Sequence, residues 1–192
     1  MWIPIAIAGM TVLAAYTFMS GPSNTTQMKG SDGKVYEVQN LPDKETAVEH
    51  MTDIHGRLIK LQEYYRDDPA LASDPPVSRF LARFQPDVMI ENDMSSSDTS
   101  YSENKGQKIV VCLRDKTKPP QYPLIEINTV MFVMLHEMAH LMTETIGHTP
   151  EFWANFRRIL HDAVKAGIYQ HVSYASNPTP YCGMQITDSP LG

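Results

Sequence analysis

Histidine and glutamate recur in HEMAHLMTETIGHTPEFW, residues 136–153, at spacings that suit a metal site. His136 and His140 are four apart, so on a helix both imidazoles share one face, one turn apart, and two nitrogens can converge on one ion. Glu137 follows the first histidine, where a carboxylate can reach a metal-bound water without occupying the metal. Zinc lowers the pKa of that water, and the carboxylate takes its proton as it attacks a carbonyl. The competing reading is a solvated helix face. It fits poorly, because Phe132, Val133, Met134, Leu135, Met138, Ala139, Leu141 and Met142 make the segment apolar on nearly every side. Burying two histidines and a glutamate there is costly unless something pairs them.

A catalytic zinc site takes three protein ligands and leaves room for water, whereas a structural site is closed by a fourth. His148 follows Gly147, and a turn at that glycine swings it back over the same face. Glu144, four after His140 on a continuing helix, is the rival third ligand. His148 is preferred, because Glu144 would leave His148 and its glycine without a role. A fourth ligand such as Glu144 or Cys182 would point instead to a catalytically inactive, zinc-stabilised, membrane-tethered interaction or virion structural module. A hydrolase of non-peptide substrates would use the same water-activating site.

The elements that must position these residues follow from periodicity. NTVMFVMLHEMAHLM reads as a helix capped by Asn128 or Thr129. Thr149, Pro150 and Glu151 restart a second helix with a hydroxyl cap, a first-turn proline and an early acid. Phe152, Trp153, Phe156, Ile159, Leu160 and Val164 give it an apolar face, and Gly167 ends it. Upstream, Ala47, Met51, Ile54, Leu58, Leu61 and Tyr65 mark a helix that starts near Pro42 and Asp43 and stops at Pro69. Its His50 and His55 are read as surface or boundary residues. VSRFLARF is a short helical segment after Pro75 and Pro76. TSYSENKGQKIVVCLRD reads as a hairpin turning at Asn104 to Gly106, with Ile109, Val111 and Leu113 on one face. The tail from Ile168 is an extended wrap with a short strand at Gly183 to Ile186. Tyr174 and Tyr181 in that tail are possible oxyanion donors, with packing as the simpler role for each, while His161 and His171 carry no special signal.

HEMAH followed by GHTPEFW resembles the zincin metallopeptidases of the WLM and SprT-like group, and in particular small predicted WLM-type proteins of large DNA viruses of eukaryotes. The resemblance runs from about Tyr101 through NPTPYCGMQITDSPL, roughly half of the chain, and is strongest from Leu135 to Phe156. It implies an α+β zincin-like domain with a small twisted sheet beside the HExxH helix. It also implies Zn2+ held by His136, His140 and His148, Glu137 as general base, and Phe152 packed beneath the third ligand. The chain departs from the group in one respect: seven residues separate His140 from His148, where the usual pattern has five. The implied reaction is hydrolysis of a peptide or isopeptide bond in a protein substrate. KIVVCLR is the strand proposed for the sheet, with binding of an extended peptide by strand addition at an edge. In cellular relatives the substrates resemble proteins crosslinked to DNA or modified by ubiquitin-like proteins. The formal charge of −6 speaks against a nonspecific nucleic-acid partner here, and that substrate class is not carried over.

The ends of the chain add expectations about location. From Trp2 to Ser20 there is no charged side chain, and the run is about long enough to cross a bilayer. Residues 1–20 are therefore read as a transmembrane signal-anchor, 21–41 as a tether in which GSDGKVYEV holds a turn followed by a brief strand, and 42–192 as the catalytic domain. Lys29 and Lys34 lean toward a single-pass membrane protein, in a host or virion membrane, with its catalytic domain in the cytoplasm. Cys112 and Cys182 are the only cysteines and are read as separate thiols in a reducing compartment.

Overall fold

The computed structural model describes residues 24–85, 88–103 and 106–192. The chain forms β1 (Thr25–Lys29), β2 (Val35–Gln39), α1 (Lys44–Asp67), α2 (Pro69–Ala72), α3 (Pro75–Arg83), β3 (Met89–Glu91), β4 (Tyr101–Glu103), β5 (Lys108–Val111), α4 (Ile127–Met142), α5 (Pro150–Lys165), β6 (Thr179–Tyr181) and β7 (Met184–Ile186). The fold is α+β. Five strands form one mixed sheet in the order β1-β2-β3-β5-β4, and β6 and β7 form a separate hairpin. The periodic stripe of α1 is buried throughout, and all six of its sequence-assigned residues lie in the core.

Within the segment read from sequence as tether, the brief strand expected in GSDGKVYEV is β2, and it pairs with β1 as an antiparallel hairpin at one side of the sheet. β5 is not the edge: it lies between parallel β3 and antiparallel β4, so β4 is the edge strand next to it. Ile109, Val111 and Leu113 are buried as their alternation requires, but Val110 and Cys112 are buried as well. On the Cys112 side the reason is covalent. Cys112 and Cys182 form a disulfide with Cα atoms 6.0 Å apart, which corrects the expectation of two separate thiols. The bond fixes the C-terminal hairpin to the end of β5.

A buried ion network ties the sheet to α1. Arg114, 1% exposed, donates Nε to Glu91 Oε1 at 2.7 Å and Nη1 to Asp43 Oδ2 at 2.8 Å. The second Glu91 oxygen accepts the Gln39 amide at 2.7 Å, so β2, β3, the end of β5 and the start of α1 share one set of charge-assisted bonds. His55 is also not a surface residue: it is buried beside Tyr36 and Asp32.

The membrane assignments require correction. The signal-anchor of residues 1–20 lies outside the described residues, and among the described residues no helix is long and apolar enough to cross a membrane. The most apolar helix, α4, has 16 residues, about 24 Å of rise against a hydrocarbon core of about 30 Å. The 24-residue α1 is long enough but carries charged residues along its outer face. The fold class of the described residues is therefore α+β without a transmembrane helix, and membrane tethering and the single-pass location find no support among them.

Candidate metal centre

α4 is buried on most of its circumference, and its half-buried positions past the first turn are Val133, His136 and His140, a single stripe at three- and four-residue spacing. Glu126, not Asn128 or Thr129, caps the helix, by accepting the Thr129 amide at 3.0 Å. Two arginines four apart on α3 satisfy its other end. Arg79 Nε donates to the Met142 carbonyl at 2.7 Å, and Arg83 Nη1 donates to the Leu141 and Thr143 carbonyls, each at 2.9 Å. These carbonyls have no partner within the helix, and cations there also meet the negative end of its dipole. The sequence reading missed both residues, although their spacing places them on one helix face.

His148 comes from the loop between α4 and α5. Gly147 has φ +85°, which permits the sharp turn that the sequence requires. Thr149 then caps α5 by accepting the Phe152 amide, with Pro150 in the first turn. One ligand nitrogen from each of His136, His140 and His148 lies within 4.8 Å of the others. Nε2 of His148 and of His136 are 3.0 Å apart. Nitrogens bound tetrahedrally to zinc at about 2.0–2.1 Å sit about 3.3 Å from one another, so the donor set and its spacing fit that ion.

Phe152 is the platform under the cluster. Its ring centroid is 4.8 Å from that of His136, 4.3 Å from His140 and 4.7 Å from His148, and the side chain is fully buried. Burial pushes the His136 pKa down to about 3, with His140 and His148 adding to the effect. Burial, then His148, lowers that of His140. Both rings are thus neutral donors at neutral pH, the form that a metal requires. Burial pushes Glu137 up to about 7, against the opposing hydrogen bond from the Ser102 amide of β4. The HExxH helix and the edge strand therefore meet at the glutamate.

The rival ligands are engaged elsewhere. Glu144 is exposed and pairs with Arg79 at 2.8 Å, and Cys182 is consumed by the disulfide. Among the described residues, the cluster that can hold a metal ion consists of the three histidines. Beside it opens a cavity of about 610 Å³ whose walls include Phe132, Val133, His136, Glu137, Tyr181 and Ile186. Of the two tail tyrosines, Tyr181 reaches this wall and its hydroxyl pairs with Ser100 Oγ, while Tyr174 packs against Phe132 at 4.7 Å and does not line the cavity. His161 and His171 lie outside the cluster.

The WLM domain model matches residues 100–177. An uncharacterized protein of Acanthamoeba polyphaga mimivirus is 34% identical over 160 residues, covering 82% of this chain and 80% of that protein. An uncharacterized protein of Invertebrate iridescent virus 6 is 34% identical over 82 residues, or 43% of this chain and 45% of that protein. Among solved structures, Wss1 from Saccharomyces cerevisiae has a TM-score of 0.48 at 19% identity, covering 68% of this chain and 87% of Wss1. With the mimivirus protein matched across most of both lengths and the motif helix inside the matched domain, the chain belongs to the WLM family.

Proposed function

We propose that the protein is a zinc-dependent metallopeptidase that hydrolyses a peptide or isopeptide bond in a protein substrate. The observation that carries the reading is the convergence of three imidazole nitrogens beside a buried glutamate on the wall of a cavity. The family and the histidine cluster together give a peptidase-like fold capable of metal-assisted catalysis. In this proposal His136, His140 and His148 hold zinc. When bound, the ion supplies Lewis acidity, lowering the pKa of water and polarising the substrate carbonyl.

The chain's own residues do the rest. Glu137 takes a proton from the attacking water on its carboxylate and returns it to the departing amine. Its burial suits both halves of that task, because a carboxylate with raised proton affinity both accepts and releases near neutral pH. The Ser102 amide fixes the carboxylate's orientation. Phe152 and Phe156 pack edge-to-face against His136 and exclude water from the side of the cluster facing the core. Tyr181, kept protonated by burial, presents a phenol to the cavity wall. An extended substrate would pair with the outer edge of β4, which carries Ser102.

Metal removal tests this reading. The full chain is expected to contain one equivalent of zinc and to cleave members of a panel of unfolded proteins. A chelator should abolish cleavage, and one equivalent of zinc should restore it. Cleavage that persists in the metal-free protein would exclude the mechanism.

A further inference from the structure

His136 and His140 are held by a packed helix, but His148 is exposed and stands in a loop. Its position depends on what folds the seven-residue spacer. Side chains do so, and most of the bonds converge on Glu151. One carboxylate oxygen of Glu151 accepts the Glu144 amide at 3.0 Å and Arg79 Nη2 at 3.2 Å. The other accepts the Thr145 amide at 3.2 Å and the Thr145 hydroxyl at 2.9 Å. Thr145 Oγ1 also bonds Thr149 Oγ1 at 2.6 Å, closing the base of the loop. Only Ile146, Gly147 and His148 remain beyond that closure, as a three-residue apex that turns at Gly147. Arg79 joins the bracket to the helix, since it bonds the Met142 carbonyl, Glu144 and Glu151 together.

We propose that Glu151, anchored by Arg79, is a positioning residue that gathers residues 144–149 so that His148 completes the metal site despite the long spacer. This rests on the reading of the three histidines as zinc ligands. Without the bracket, His148 would hang on a flexible loop, and each metal-binding event would have to order that loop, at a cost in affinity. Partners that orient a metal ligand from outside typically change affinity about 10–100-fold.

The test measures zinc affinity of the full chain by competition with a chromophoric chelator, and records the visible spectrum of the Co2+-substituted protein. Glu151→Ala is expected to weaken zinc binding about 10–100-fold and to move the Co2+ bands toward those of His148→Ala. Glu151→Gln keeps an acceptor oxygen for one of the two sets of loop donors, and should regain part of the lost affinity. Arg79→Ala approaches the bracket from α3 and should show a smaller loss in the same direction, which reads the bracket even if Glu151→Ala fails to fold. Wild-type affinity and spectrum in Glu151→Ala, or wild-type affinity in Arg79→Ala, would overturn the proposal provided that His148→Ala binds weakly. Wild-type binding in His148→Ala would instead overturn the ligand assignment beneath it.

Discussion

His136 and His140 stand on a helix that is buried on its other sides, whereas His148 stands at the apex of an exposed loop tied by side-chain hydrogen bonds. The first pair is positioned by the core: moving either imidazole means moving α4, which packs against α3 and α5. The third is positioned by a handful of polar contacts, and each of those competes with water. Stability and metal affinity should therefore separate in this molecule. Substitutions beneath the helix should cost fold stability and affinity together, and substitutions in the loop should cost affinity while the fold persists.

Phe152 sits where the two regimes meet, since it is fully buried and touches all three imidazoles. Phe152→Ala should lower unfolding free energy in urea by about 3–5 kcal/mol and weaken zinc binding as well. Full zinc affinity in a strongly destabilised variant would break the link between platform and site. The disulfide belongs to the framework. Cys112 and Cys182 are separated by 70 positions, and losing a cross-link that closes such a loop should cost about 4 kcal/mol, read as the shift between unfolding curves with and without reductant. Zinc stoichiometry should remain at one where the reduced protein is folded, because neither cysteine is in the histidine cluster.

The loop side is expected to respond more gently. Thr149→Ala removes the cap of α5 and the hydroxyl bond to Thr145, at a cost of about 1 kcal/mol to the fold. The smallest effect concerns a buried carboxylate outside the histidine cluster. The Thr117 hydroxyl, bonded to Asp115 at 2.6 Å, holds the Asp115 pKa below its ordinary value of 3.8 against the opposing effect of burial. A depressed native pKa means that the unfolded chain binds the proton first as pH falls. Asp115 thus contributes stability in full above the ordinary carboxylate range, and loses it as pH drops through its lowered native value. Asp115→Asn should accordingly be less stable than wild type at pH 7, with the gap narrowing in urea curves recorded toward pH 3. A gap that widens in acid would reverse the sign.

The same contrast explains what could be read from the residues alone. The α4 pair was legible because its spacing is the helix repeat, and the apolar neighbours made a solvated face untenable. His148 was legible through Gly147 and the Thr-Pro-Glu restart, both local signals. What held the loop was not legible. Arg79 lies 65 positions before Glu144, and nothing in either segment announces the contact. The Arg114 network and the Cys112–Cys182 bond likewise join segments distant in sequence, and two cysteines without a motif give no pairing signal. Of the 25–39 hairpin, the turn and second strand were legible in GSDGKVYEV, while β1 was hidden because TTQMK is largely polar and draws its stability from pairing with β2. The position of β5 inside the sheet was hidden by topology, since alternation gives a strand's faces but not its neighbours.

The central claim is that Glu137 moves the proton while the histidines hold the metal. It is tested most directly by Glu137→Gln, in which an amide of nearly the same shape replaces the carboxylate. Zinc content and cleavage of an unfolded protein substrate would be measured on the same preparation beside wild type. The account predicts one equivalent of zinc in both proteins and cleavage only in the wild type. Undiminished cleavage by the zinc-loaded Glu137→Gln protein would contradict it.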